Sequence, residues 1–141
     1  MSELYFRGDH QLNGIGTVRK WIAKVIDSHD CSLGELTYQF INDTDMLAIN
    51  RKYLNHDNFT DIITFDYTDD YKISADIFVS IDRVRDNAST FSSAYQDEMM
   101  RVLIHGVLHC LGYPDKTKEE KEVMREKENE CLELFHVEHK I

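Results

Sequence analysis

The sequence predicts a single α+β domain over residues 1–141 with mixed strands, and three observations carry that prediction. Runs rich in β-branched and aromatic residues lie at ELTYQFI, DIITFDY and ISADIFVSI, and stretches of apolar residues at helical spacing lie between and after them. The 141 residues are 42% hydrophobic and 11% aromatic with one proline, enough apolar material for one globular core. No repeat, low-complexity tract or Pro/Gly/Ser-rich linker divides the chain.

Taken in order, LYFR near the start reads as a short edge strand. Val18, Trp21, Ile22, Val25 and Ile26 then recur on one face of a helix reaching about residue 28, with Trp21 as a core anchor. Leu36, Tyr38 and Phe40 alternate with polar neighbours, as in a strand with one buried face, and Asn42 and Asp43 close it. Thr44 with Asp45 caps a helix through Met46, Leu47, Ile49, Asn50 and Tyr53, and NHDNF turns the chain. DIITFDY and ISADIFVSI, separated by TDDYK, form a strand pair or hairpin with an acidic exposed turn. Ser80 or Asp82 caps a helix to about Ser92. A further helix runs from Ala94 to Leu111, with Met99, Val102, Leu103, Val107 and Leu108 as its apolar stripe and Gly112 as its stop. KEEKEVMREKENECLELF makes a last amphipathic helix.

Composition excludes several function classes. No apolar run approaches the ~20 residues of a membrane span, and the N-terminus lacks the basic-then-apolar pattern of a secretory signal, so a cytoplasmic location is expected. Cys31, Cys110 and Cys131 lack CxxC spacing, and each reads as a buried, reduced, structural thiol. The net charge of −10 argues against a broad electrostatic footprint for nucleic acid, so any grip on phosphate must come from a local cleft.

The chemistry concentrates in His105-Gly-Val-Leu-His109-Cys-Leu-Gly112-Tyr-Pro-Asp115. Residues four apart share a helix face, so His105 and His109 can reach one ion. Gly112 can adopt the left-handed conformation that ends a helix, turning Asp115 back toward them. The spacing H-x-x-x-H-x-x-G-x-x-D matches a zincin pattern with a carboxylate as third ligand, at the C-terminal end of a helix. Two nitrogens and one oxygen suit a single catalytic Zn2+, leaving a fourth position for water whose pKa falls toward ~7. Gly106 stands where a zinc peptidase carries its general-base Glu, which disfavours peptide hydrolysis and leaves phosphodiester hydrolysis open.

These residues resemble the YbeY family, metal-dependent endoribonucleases that act in maturation of the 16S rRNA 3′ end and in ribosome quality control. HGVLHCLGYPD is similar to the family's H-G-x-L-H-x-x-G-Y-D-H, INRKYLNHDNFTDIITF to L-N-x-x-Y-R-x-x-D-x-x-T-D-V-L-S-F, and SADIFVSIDRVRDNA to a G-D-I-x-I-S strand followed by a helix. Together these segments span about residues 49 to 115. The resemblance implies a small mixed β-sheet with packed helices, a metal at a cleft, RNA as substrate (the 16S rRNA precursor) and contacts with the ribosomal small subunit. Asp115 stands where the family has its third metal histidine, Pro114 where it has Asp, and Leu54 where it has Arg, so Arg51 or Lys52 would have to supply the missing cation.

Thr60, Asp61 and Thr64 enter as residues that could line the cleft, Asp76 as a carboxylate that either buttresses a histidine ligand or faces outward, and Lys116 as a phosphate contact. His136 and His139 read as a solvated tail, and His10, His29 and His56 as surface loops. Two other functions compete with the nuclease: a zinc peptidase, and a metal-stabilised ribosome-binding factor without turnover.

Overall fold

In the computed structural model, which describes residues 3–138, the strand-forming runs assemble into one four-stranded sheet. The chain order is β1 (Glu3–Arg7), α1 (Ile15–Ser28), β2 (Ser32–Ile41), α2 (Asp43–Leu54), β3 (Ile62–Asp66), β4 (Lys72–Ser80), α3 (Ile81–Thr90), α4 (Tyr95–Cys110) and α5 (Lys118–Glu138). The strands lie side by side as β1-β2-β4-β3. β1 and β2 are parallel, as are β2 and β4, while β3 runs antiparallel to β4. The sheet is therefore mixed, as expected, with LYFR on one edge and the DIITFDY hairpin strand on the other.

Alternation decides which face is covered. Leu36, Tyr38 and Phe40 on β2 and Ile73, Ala75, Ile77 and Val79 on β4 are buried. They form one core with Trp21, Ile22, Val25 and Ile26 of α1 and Met99, Leu103, Ile104, Val107 and Leu108 of α4. Two buried polar atoms inside that core find carbonyls: the Tyr38 hydroxyl donates to Leu103 O at 2.8 Å, and Trp21 Nε1 donates to Cys131 O at 2.7 Å. These bonds tie the sheet to α4 and α1 to α5.

Most element ends fall within a residue or two of the sequence reading, with one change of cap. The N-cap of α2 is Asn42, whose side chain accepts from Asp45 N at 2.8 Å, not Thr44 with Asp45. Asn42 already has the extended backbone of a cap (φ −91°, ψ 173°), so the helix starts directly after the strand. Ser80, rather than Asp82, caps α3 by accepting from Arg83 N. Asp82 instead accepts from Asp43 N and so joins α2 to α3.

Cys110 and Cys131 are buried, and burial pushes their thiols up to about 12 and about 11. Cys31 departs from the reading made of all three: it is only half-buried. Among the described residues, no helix is long and apolar enough to cross a membrane.

Candidate metal centre and substrate cleft

α4 carries the two histidines near its C-terminal end, and the chain that follows folds back over them. Gly112 has φ 104°, Tyr113 N donates to Leu108 O and Gly112 N to His109 O, the paired bonds of a Schellman turn. A β-carbon at Gly112 would meet nothing, so glycine is needed there for its backbone alone. Beyond the turn, the Tyr113 hydroxyl lies 3.2 Å from His29 Nε2 at the end of α1. Glu120 then accepts from Lys116 N and Thr117 N while Thr117 Oγ1 accepts from Glu120 N, a capping box that starts α5. Asp115 is thus held between two anchored points.

The result is a triangle of donor atoms. Asp115 Oδ2 lies 3.3 Å from both His105 Nε2 and His109 Nε2, and the three donor atoms fall within 4.8 Å of one another. Bonds of about 2.0–2.1 Å to a tetrahedral ion place two donors roughly 3.3–3.4 Å apart, so the imidazole-to-carboxylate edges already have the right length. The imidazole rings stand at 83° to each other with centroids 4.6 Å apart. The donor set is unsaturated, open to further ligands from solvent or substrate.

A residue unremarked in the sequence fixes the first of these ligands. Glu128, on α5, is buried and its Oε2 accepts from His105 Nδ1 at 2.6 Å. That bond puts the ring proton on Nδ1 and leaves the Nε2 lone pair facing the triangle. Arg101 Nη1 donates to the other oxygen, Oε1, at 3.0 Å and Nη2 donates to Asn129 Oδ1. Burial alone would raise the Glu128 carboxyl, but the bonds from His105 and Arg101 outweigh it and hold the group below the usual carboxylate range. At His105 burial pulls downward, and the bond to Glu128 with the charges of Glu128, Asp115 and Asp61 turns the net shift upward. A signal for Glu128 existed in the sequence: Met124, Glu128 and Cys131 share the inward stripe of α5, and a carboxylate in an apolar stripe needs a partner.

The triangle opens on a cleft of about 1040 Å³ between β3, α4 and α5, reaching the ends of α2 and α3. Thr60, Asp61 and Thr64 line it, as the sequence suggested. Asp61 is steadied by Asn87 Nδ2 at 3.2 Å, and burial raises its carboxyl above the ordinary value against the opposing charge of His105. The four remaining candidates lie elsewhere. Asp76 lies between buried Ala75 and Ile77, so its side chain leaves by the opposite face of the sheet and lines a shallow depression there. Arg51 pairs with Asp57 in solvent, Lys52 lies over the Tyr53 ring, and Lys116 is exposed; none lines the cleft. Its cations are instead Arg101, Lys121 and Arg125, facing the carboxylates of Asp61, Asp66, Glu98, Asp115 and Glu128. His136, at the end of α5, sits 3.5 Å from Asp97, and His139 lies outside the described residues.

Gly106 has a structural reason. A β-carbon there would stand 2.9 Å from Ile77 Cδ1, 3.1 Å from Ile62 Cδ1 and 3.4 Å from Thr64 Oγ1. A larger side chain there runs into the ends of the Ile77 and Ile62 side chains, which must move to admit it. Gly106→Glu, which completes the zinc peptidase pattern, is expected to cost about 3 kcal/mol or more through overpacking and a buried unpaired carboxylate. Thermal unfolding measures this, and casein should stay uncut. A stable, proteolytic variant would contradict the packing argument.

Residues 9–136 match the family described as Endoribonuclease YbeY. The chain belongs to the YbeY family. A relative named Endoribonuclease YbeY from Flavobacterium johnsoniae is 50% identical over 118 residues, covering 84% of this chain and 85% of the relative. Another of that name from Parabacteroides distasonis is 44% identical over 137 residues, 96% of each chain. The solution structure of TM1509 from Thermotoga maritima superposes with a TM-score of 0.69 at 22% identity, covering 98% of this chain and 91% of that one, which places the fold alone. In this YbeY chain, Leu54 lines the cleft, while its neighbours Arg51 and Lys52 do not.

Proposed function

We propose that the protein is a single-strand-directed endoribonuclease that holds one Zn2+ on His105, His109 and Asp115 and hydrolyses RNA phosphodiesters. The triangle with two 3.3 Å edges on an open cleft carries this reading, and the names of the relatives support its substrate class. When bound, the ion supplies Lewis-acid polarisation of a phosphoryl oxygen and activation of water. The chain's own residues do the rest. Glu128 keeps the His105 proton on Nδ1, the Schellman turn and capping box hold Asp115 in place, and the cleft leaves one side of the triangle open to a strand. Gly106 removes the general base of the peptidase alternative. The resemblance directs the activity to the 16S rRNA precursor on the ribosomal small subunit in the cytoplasm, with a part in ribosome quality control.

Elemental analysis should find about one zinc per chain, and the metal-loaded protein should cut a labelled single-stranded oligoribonucleotide until a chelator is added. Fully metallated protein that binds RNA without cutting it would replace this reading with the ribosome-binding factor.

A further inference from the structure

We propose that Lys121 and Arg125 on α5 grip backbone phosphates of a single RNA strand lying across the metal-ligand triangle, and that Phe91, at the end of α3, stacks one of its bases. The proposal rests on the endoribonuclease reading and assigns the contacts that hold the substrate. α4, which carries the histidines, packs against both α3 and α5, and the cleft over it is bordered by residues of each.

The cations on the α5 side differ in availability. Arg101 is committed to Glu128 and Asn129. Arg125 reaches Glu128 Oε1 only at 3.7 Å with its side chain 58% exposed, and that oxygen already accepts from Arg101. Lys121 is exposed and has no ion pair among the described residues. Four residues apart, these two side chains emerge from one face of the helix about 6 Å apart along its axis, a short cationic track.

Apolar surface borders the cleft elsewhere. Phe91 is 61% exposed and has no ring partner among the described residues, and Leu54 is 42% exposed. An aromatic ring left in water beside a polar cleft is a platform for an unpaired base, which a duplex cannot offer. The carboxylates of the cleft and the chain's charge of −10 repel more distant phosphates, so the footprint should be short and anchored at these few groups.

The test uses metal-loaded full-length protein and a fluorescent single-stranded RNA of about ten nucleotides, with binding followed by anisotropy across salt concentrations and cleavage by gel. Lys121→Ala/Arg125→Ala should raise Kd and KM about tenfold or more, leave kcat within about twofold, and flatten the salt slope by about 1.4, the share of two single-strand phosphates. Lys121→Arg should behave as wild type. Phe91→Ala should weaken binding about tenfold without changing the salt slope, and Phe91→Trp should restore it. A double variant with unchanged Kd and salt slope overturns the cationic track even where wild type cuts RNA, and an unchanged Phe91→Ala overturns the stacking platform. Wild type that binds but does not cut refutes the endoribonuclease reading while the slope still decides the track; wild type that neither binds nor cuts refutes both.

Discussion

His109→Ala is expected to empty the metal centre and to lower RNA cleavage by about three orders of magnitude or more. Three protein ligands are the least that hold a catalytic zinc while leaving a position for chemistry, and removing one forfeits both affinity and geometry. His109 touches the triangle through Nε2 and, among the described residues, has no bond comparable to that between His105 and Glu128. Its loss should therefore leave the metal-free fold intact. Zinc at about 100 times its Kd should raise wild-type stability by about 2.7 kcal/mol and leave the variant's melting temperature unchanged. Asp115→Ala should behave in the same way, and Asp115→His, which supplies the imidazole expected from the family pattern, should keep the ion. Full metal content and unimpaired cleavage in His109→Ala would remove this triangle as the reactive centre.

Glu128→Ala should do the most damage to the fold among substitutions near the site. Its carboxylate is 6% exposed and answers two cationic or proton-donating groups, Arg101 and His105, that are themselves mostly covered. Truncation leaves the Arg101 guanidinium without its buried counter-charge and the His105 Nδ1 proton without its acceptor. Breaking a buried pair from one side costs about 3–5 kcal/mol, and losing the partner of a metal-bound histidine costs about 10–100-fold in metal affinity. Glu128→Gln separates the two effects, because an amide oxygen can still accept from one of the donors while the charge is gone. Denaturant unfolding of the metal-free protein and zinc titration of the folded one measure the two losses independently. A Glu128→Ala protein as stable as wild type, with unchanged zinc affinity, would show that Glu128 is a bystander.

How far the site was legible depended on whether its residues are close in sequence. His105, His109, Gly112 and Asp115 sit within one helix end and its turn, where helical spacing and glycine's backbone freedom suffice to bring them together. Thr60, Asp61 and Thr64 were legible through the resemblance, and the cleft does contain them. Asp76 was open to either side of the sheet, as a buttress for a histidine or as an outward-facing carboxylate, and alternation along β4 selects the outward one. It shares a strand with buried Ala75 and Ile77, and period-two alternation sends it to the opposite side from α4. Arg51 and Lys52 adjoin the position of the missing cation along the chain but not in space, because they leave α2 toward solvent while Leu54 faces the cleft.

By itself the sequence determined the order of elements, the inward face of the main strands, the paired histidines and the family, since all of these rest on local periodicity, turn chemistry or motif spacing. Tertiary structure alone decided the strand order β1-β2-β4-β3, the contact of Glu128 with His105 across 23 positions, and the placement of Lys121 and Arg125 on the cleft that holds His105, His109 and Asp115. The reason is physical. In the sequence α5 reads as a solvated, charge-rich helix, and only its packing on α4 shows which of those charges lose water and gain a partner.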